Sequence, residues 1–319
     1  MRKTKKRYGV IRFFAGFLLK LFLAAIIFAN AAACVFASDD MADQETHDLS
    51  DAGVHYKPLV SSLEMGDTSL RYFKFGSGEK SMVILPGLNI AHITKNADLF
   101  AEAYADFCDE YTVYLFEVKD DVPEDSTLTG LSEDTACAFK MLGITDAYIT
   151  GISMGGFIGI YLAAEYPELV SKLLLVASAA RSNDANDRML NRWSKLADVG
   201  SRHPLVYNMM SKIYSNETIE MFGDQLIAGY ELITASELKR FSNTARAIIG
   251  FDFTDKLSDI TCSLYVIGCY GDEVLGPDSS LEIAESTGCG IYMYPDRYGH
   301  GVYDEADDYI DRVMEFFSE

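Results

Sequence analysis

A predicted strand that runs directly into a predicted helix is the feature that most constrains the fold. Residues 147–150 form a short, apolar, β-prone run, and residues 157–165 favour a helix. The turn between them is Gly151-Ile152-Ser153-Met154-Gly155. Small residues two positions on either side of Ser153 permit a tight, strained bend, which leaves the hydroxyl exposed at the start of the helix. The segment therefore predicts a strand-turn-helix unit with a nucleophilic serine at its turn.

Strand-like and helix-like segments alternate along most of the chain. Strands are predicted at 70–75, 82–85, 112–118, 147–150, 172–176, 263–267 and 291–294, and helices at 97–107, 131–142, 279–286 and 304–317. This alternation is typical of an α/β fold with a mostly parallel, doubly wound sheet. From about residue 181 to 250 no strand is predicted but several helical stretches are, including 189–196, 204–214 and 236–249. We interpret that region as a helical cap insertion.

These patterns predict a division of the chain into five segments. They are a signal peptide or N-terminal membrane anchor at 1–37, an acidic segment at 38–54, a first part of the α/β core at 55–180, the helical cap at 181–256, and the second part of the core at 257–319.

The N-terminal segment predicts export. Seven basic residues precede an apolar run at 21–33, which is typical of a signal peptide. Cleavage after Ala37 is the main expectation, and lipidation of Cys34 or retention as an uncleaved anchor are alternatives. We therefore expect a location outside the cytoplasm, either secreted or attached to the membrane through this segment.

Charge and cysteine content exclude some partners. The whole chain has a net charge of −21, and residues 38–319, with 20 basic and 48 acidic residues, have −28. Nucleic acid is therefore an unfavourable partner. The cysteines lack the paired spacing of a zinc site, so neither a metal nor another cofactor is implied. Cys262 and Cys289 each precede a predicted late strand, where they either form a disulfide or remain free thiols.

Candidate catalytic residues follow the predicted strands, where functional groups of such sheets collect. Ser153 is the candidate nucleophile, His300 the base that accepts its proton, and Asp272 the acid that orients the imidazole. The backbone N–H groups of Leu88 and Met154 would form the oxyanion hole.

Other residues compete for roles at this site. Glu273 and Asp184 are alternatives to Asp272. His92 lies near the proposed oxyanion loop, where loop capping or solvent exposure is favoured over a role in supporting the site or binding substrate, and His203 is expected on the cap surface.

The chain resembles the α/β-hydrolase fold enzymes over nearly all of residues 38–319. The resemblance rests on the turn at Ser153, on Gly271-Asp272 after a strand, on Gly299-His300-Gly301 near the C-terminus, and on the cap. It implies hydrolysis of an ester, thioester or amide through an acyl-enzyme. Pro86-Gly87 stands where many relatives have His-Gly, so the resemblance supports Leu88 as a donor less directly than it supports the Ser-His-Asp triad.

The predicted function is that of an exported serine hydrolase that cleaves small carboxylic esters or related acyl bonds. Two alternatives remain: a ligand-binding protein of the same fold, and an acyltransferase or perhydrolase that uses the same serine. The apolar and aromatic side chains of the cap favour an acyl pocket or core packing equally, and Glu220 or Glu231 are candidates to bind a substrate amine. The acyl chain length and the oligomeric state are left open.

Overall fold

The computed structural model describes residues 56–319. The signal peptide or anchor predicted at 1–37, including Cys34 and Ala37, lies outside the described residues, as does the acidic segment predicted at 38–54.

The described chain is organised around one eight-stranded sheet. Its strands are β1 (Leu59–Met65), β2 (Thr68–Phe75), β3 (Lys80–Leu85), β4 (Tyr111–Phe116), β5 (Ala147–Ile152), β6 (Val170–Val176), β7 (Ser263–Cys269) and β8 (Gly290–Tyr294). Their order in the sheet is β1-β2-β4-β3-β5-β6-β7-β8. The pairs β1–β2 and β2–β4 are antiparallel, and the pairs from β4 to β8 are parallel. The predicted α/β fold with a mostly parallel sheet is confirmed.

Helices cover both faces of this sheet. They are α1 (Ala97–Ala103), α2 (Leu128–Leu142), α3 (Met154–Glu165), α4 (Asp184–Asp198), α5 (Arg202–Ile213), α6 (Asn216–Ile227), α7 (Ala235–Ile248), α8 (Pro277–Thr287), α9 (Val302–Glu305) and α10 (Tyr309–Ser318). Short 3₁₀ helices lie at Ile93–Asn96, Ala105–Phe107, Pro167–Leu169, Tyr230–Leu232 and Thr254–Asp259. Helix α3 is buried over ten of its twelve residues, which explains its almost wholly apolar sequence.

Three elements differ from the sequence prediction. Strand β1 was not predicted because it is a mostly exposed edge strand with a single partner and no clean apolar alternation. The helix predicted at 97–107 ends at Ala103 and continues as a 3₁₀ turn. The helix predicted at 304–317 is two helices, because the backbone of Ala306 is extended between them.

A helical insertion, residues 184–248, lies between β6 and β7. Its two ends meet at an antiparallel bridge between Arg181 and Asp252. The N–H of Phe253 also donates to the carbonyl of Ala180 at 2.8 Å. The insertion therefore leaves and rejoins the sheet at one narrow neck, which holds its helices above the ends of the central strands.

Both cysteines considered for a disulfide, Cys262 and Cys289, are free thiols. Burial raises the pKa of Cys262 to about 11 and also raises that of Cys289, so both thiols stay protonated at neutral pH. Within residues 56–319, every helix is too short or too polar to span a bilayer.

Candidate active site

Ser153 lies on the sharp turn between β5 and α3. Its backbone has φ 51° and ψ −118°, a conformation that a non-glycine residue adopts only under strain. Two contacts hold the turn: the Ser153 N–H donates to the Val176 carbonyl at 2.9 Å, and the Ser178 hydroxyl donates to the Ser153 carbonyl at 3.0 Å. A Cβ added at Gly155 would lie 1.9 Å from the Leu85 carbonyl oxygen. Glycine is therefore required there for the helix to approach β3 so closely.

His300 and Asp272 form a buried pair beyond the ends of β8 and β7. Their relative exposures are 3% and 6%, and His300 Nδ1 lies 2.8 Å from Asp272 Oδ2. The other oxygen of Asp272 accepts the N–H groups of Val274 at 2.8 Å and Leu275 at 2.9 Å. Burial alone would raise the pKa of Asp272, but the imidazole and the two N–H donors outweigh it and lower that pKa. Asp272 therefore carries a negative charge beside the imidazole.

The two acids that competed with Asp272 in the sequence, Glu273 and Asp184, make no described contact with His300. Glu273 is exposed and pairs with Lys212 at 2.5 Å. Asp184 is an exposed residue in the first turn of α4, where a negative charge favours the helix N-terminus. The structure therefore brings Asp272, and neither competitor, to His300.

The loop after β3 passes beside the serine. A Cβ added at Gly87 would lie 3.2 Å from the Cβ of Ser153 and 3.7 Å from its Oγ. The next residue is Leu88, and the side-chain amide of Asn89 donates back to the Gly87 carbonyl at 2.7 Å, which tightens the loop. Met154 is buried and begins α3. Leu88 and Met154 thus lie on two segments adjacent to Ser153.

A second buried cluster lies at the far end of the same loop. His92 Nδ1 lies 2.7 Å from Glu117 Oε2, and Nη1 of Arg240 lies 2.6 Å from that same oxygen. Glu117 Oε1 accepts the N–H of Thr94 at 2.9 Å. The expected capping or solvent exposure of His92 is wrong: its side chain is 12% exposed and makes no cap hydrogen bond. The contact between His92 and Glu117 is buried beneath α7.

Sequence reasoning missed Glu117 and Arg240. A signal was available only for Glu117, which follows an apolar strand without a break. The burial of Arg240 in α7 is seen only in the folded chain. A charged residue in such a position needs a partner of opposite charge. The 123 residues that separate the two gave no means to pair them.

The His300 loop is also tied to the helical insertion. Glu305 accepts the N–H of Gly299 at 2.5 Å through one oxygen and the N–H of Ser215 at 2.8 Å through the other. Tyr214, from the same segment of the insertion, donates its hydroxyl to Asp304 at 2.7 Å. A single buried carboxylate thus joins the residue before His300 to the turn between α5 and α6.

The remaining candidate residues of the insertion are either buried in the core or exposed on the surface. Met209, Met210, Tyr214 and Phe241 are buried in the core, whereas Tyr207 and Met221 are more than half exposed. Glu220, Glu231 and His203 are exposed, and the His203 ring stacks on Tyr207 at 6.3 Å between centroids. Among residues 56–319, no group of three or more His, Cys, Asp and Glu side chains is arranged to hold a metal ion.

Comparison with known proteins agrees with this architecture. A family model described as the alpha/beta hydrolase fold matches residues 81–202. A 2-hydroxy-6-oxononadienedioate/2-hydroxy-6-oxononatrienedioate hydrolase from Burkholderia vietnamiensis is 27% identical over 84% of this chain and 99% of its own length. A 3-oxoadipate enol-lactonase from Acinetobacter baylyi is 27% identical over 78% of this chain and 96% of its own.

A solved structure has the same fold. It is an alpha/beta hydrolase enzyme from a Medee basin deep-sea metagenome library, and it superposes with a TM-score of 0.73 at 22% identity. The superposition covers 81% of this chain and 98% of that one. Together with the family match and the strand order, it shows that the chain has the alpha/beta hydrolase fold.

Proposed function

We propose that this protein is a serine hydrolase that cleaves small carboxylic esters or related acyl bonds through an acyl-enzyme, with Ser153, His300 and Asp272 as its triad. The single observation that carries the proposal is the buried 2.8 Å contact between His300 and Asp272 beyond the same sheet edge as the strained turn at Ser153. Relatives named as a hydrolase and an enol-lactonase support hydrolysis as the reaction class.

The protonation of the pair sets the direction of proton transfer. Nδ1–H of His300 donates to the Asp272 carboxylate, which leaves Nε2 of the neutral ring as the acceptor. His300 is then a base for the Ser153 hydroxyl. As Oγ attacks the acyl carbon, its proton passes to Nε2, and the charge of the imidazolium is balanced by Asp272.

The carbonyl oxygen gains the negative charge during the attack. The N–H groups of Leu88 and Met154 are the proposed donors to this oxyanion, and losing one such donor costs about 3 to 4 kcal/mol in barrier. When the tetrahedral intermediate collapses, the bond to the alcohol breaks and the alcohol takes the proton from His300. Water then repeats the sequence on the acyl-enzyme, which releases the acid and frees Ser153.

The test is intact-mass labelling with a fluorophosphonate, in which Ser153 Oγ bonds to phosphorus and fluoride leaves. We expect one adduct on the wild type, none on Ser153→Ala, and an undiminished adduct on Ser258→Ala, which changes an exposed serine. An adduct that persists on folded Ser153→Ala contradicts the assignment. A folded wild type that takes no label favours the ligand-binding alternative.

Export remains a prediction from residues 1–37. Its basic start, apolar run and small residues before Ser38 support cleavage after Ala37. The mass of the mature protein recovered from its native host distinguishes cleavage there from lipidation at Cys34 and from a retained anchor.

A further inference from the structure

The two neighbours of His300 in the chain, Gly299 and Gly301, lie against the backbone of the insertion. A Cβ added at Gly299 would lie 2.6 Å from the carbonyl oxygen of Ile213 and 2.8 Å from the nitrogen of Ser215. Gly299 does not have a positive φ, so this close approach, rather than its backbone conformation, requires a glycine there. The N–H of Gly301 donates to the same Ile213 carbonyl at 2.6 Å. The loop that carries His300 therefore packs directly on residues of the insertion.

Glu305 is the side chain that spans this contact, and it is 7% exposed. One of its oxygens accepts the N–H of Gly299 at 2.5 Å, and the other accepts the N–H of Ser215 at 2.8 Å. Because both oxygens accept, the group acts as an ionised carboxylate, and each of its hydrogen bonds is charge-assisted. A buried carboxylate that is bound on both sides fixes the distance between the two backbones that it joins.

The placement of this loop matters for catalysis because His300 has to meet two partners. Its Nδ1 lies 2.8 Å from Asp272, and the proposed mechanism requires its Nε2 to reach the hydroxyl of Ser153. A misplacement of about 1 Å can lower a rate about 10²-fold without any contact with the substrate being lost. The loop of His300 is held by the insertion as well as by the pair with Asp272, so both contacts bear on this placement.

We propose that Glu305 is a positioning residue that makes proton transfer through His300 depend on the docked position of the insertion. This inference rests on the proposed serine-hydrolase function and deepens it by naming a residue that positions the base of that same site. Glu305 acts through the backbone of Gly299, and none of its described contacts is with the proposed triad. While the insertion is docked, the N–H of Ser215 holds Glu305, and Glu305 holds the loop of His300.

The first test is Glu305→Gln, measured by steady-state hydrolysis of p-nitrophenyl butanoate. A glutamine side chain has one carbonyl oxygen, so it can accept only one of the two N–H groups and presents an N–H to the other. We expect kcat to fall about 10- to 100-fold. KM should stay within about twofold of wild type, because a residue that acts through His300 changes the chemical step and not a contact with the substrate.

Glu237→Gln is the matched control. Glu237 is also buried and also joins the insertion to a loop of the core, since it accepts the N–H of Thr234 at 3.0 Å and that of His92 at 3.1 Å. It makes no described contact with the loop of His300. Urea denaturation gives the loss of stability in both variants, and we expect a large fall in kcat only in Glu305→Gln.

The second test breaks the same contact from the insertion. Ser215 has φ −62° and the preceding Tyr214 is extended, so the backbone of both residues suits a proline at 215. Ser215→Pro removes the N–H that Glu305 accepts and also the hydroxyl that caps the N–H of Thr218, whereas Ser215→Ala removes only the hydroxyl. We expect kcat to be about tenfold lower in Ser215→Pro than in Ser215→Ala, with similar KM. Circular dichroism reports whether each variant is folded.

The outcomes distinguish this inference from the proposed function. A wild type that takes the fluorophosphonate label and hydrolyses the ester, with kcat retained in folded Glu305→Gln, overturns the role of Glu305 and leaves the serine hydrolase intact. An equal fall of kcat in folded Glu237→Gln, or a rise in KM without a fall in kcat in Glu305→Gln, also overturns it.

If Glu305→Gln does not fold, equal kcat in folded Ser215→Pro and Ser215→Ala overturns the inference. Loss of folding in both Glu305→Gln and Ser215→Pro would make this contact a determinant of stability and would overturn it as well. A wild type with neither label nor turnover overturns the proposed function, and this inference with it.

Discussion

Two histidine–carboxylate pairs of nearly equal geometry lie in different regions of this molecule. His300 and Asp272, beyond the last two strands, are 2.8 Å apart, and His92 and Glu117, under α7, are 2.7 Å apart. Both carboxylates are buried. In distance and burial alone, the two pairs are the same.

What surrounds each carboxylate separates them. Asp272 has His300 and the two backbone N–H groups of Val274 and Leu275, so the imidazole is its only side-chain partner in a described contact. Glu117 also has the guanidinium of Arg240. The carboxylate of Asp272 has no permanently charged partner, whereas Glu117 is paired with Arg240, and Asp120, which lies 3.8 Å from His92 Nε2, is paired with Arg71. In this protein, we therefore expect a histidine to act as a general base only where its carboxylate partner has no Arg or Lys partner as well.

The largest effect should come from removing the charge of each carboxylate in turn. Asp272→Asn keeps the shape but favours the wrong tautomer of His300 and removes the charge that balances the imidazolium, so kcat should fall by about 10⁴-fold. Glu117→Gln should lower kcat far less, because the described contacts of Glu117 are with His92, Thr94 and Arg240 and not with the proposed triad. Steady-state hydrolysis of p-nitrophenyl butanoate measures both.

Asp184→Asn is the matched control, since Asp184 is an exposed aspartate that is remote from the His300 contact. We expect it to keep most of the activity. Equal losses in folded Asp272→Asn and Glu117→Gln would remove the distinction between the two pairs.

The second effect concerns the free energy of unfolding, for which we expect Glu117→Gln to be more damaging than Asp272→Asn. Glu117→Gln leaves the guanidinium of Arg240 buried without its counter-charge, a change that costs about 3 to 5 kcal/mol in other buried pairs. Asp272→Asn leaves no permanently charged side chain without its partner, so we expect it to cost less than about 2 kcal/mol in unfolding free energy. Urea denaturation followed by circular dichroism gives both values. If the double variant Glu117→Gln/Arg240→Met is no more stable than Glu117→Gln alone, an unpaired buried charge is not the cause.

The third effect is the acid dependence of stability. Burial opposes ionisation of Glu117, but the His92 hydrogen bond and the charge of Arg240 outweigh it and lower its pKa from 4.5 to about 2. Because the folded pKa is depressed, the stabilisation is present above about pH 4.5 and is lost as pH falls towards 2. At about 1.36 kcal/mol per pKa unit, this amounts to about 3 kcal/mol. The difference in unfolding free energy between wild type and Glu117→Gln should shrink across that window, and a constant difference would contradict it.

The comparison also shows what the sequence could and could not predict. Local signals were sufficient for the His300 pair, since each residue follows a strand of a sheet whose edge collects functional groups, and the small residues around Ser153 indicate the turn directly. The cluster around His92 depends on α7 folding over the loop after β3, which is tertiary packing without a local signal. The same applies to Glu305, whose two partners are set by the position of the insertion. The position of a residue that directly follows a strand could be predicted from the sequence. The position of a residue that is held by contact with the insertion could not.

The smallest expected effect is at Asp304, a carboxylate with no cation among its described partners. Burial raises its pKa to about 7, which the Tyr214 hydrogen bond offsets only in part. Since the folded pKa is raised above 3.8, stability falls as pH rises from about 4 to 7 and stays lower above it.

Asp304→Asn still accepts the Tyr214 hydroxyl but cannot ionise. The pKa shift from 3.8 to about 7 corresponds to about 4 kcal/mol, of which solvent screening of this half-buried residue should leave a gain in stability of about 2 kcal/mol at pH 8 and less at pH 5. Urea unfolding at the two pH values tests this, with the exposed Asp125→Asn as a control that should gain nothing. A gain that is equal at both pH values would mean that the charge of Asp304 is not its source. A gain confined to high pH would show that desolvation makes the ionised form of Asp304 unfavourable where no cation offsets it, whereas Arg240 offsets the desolvation of Glu117.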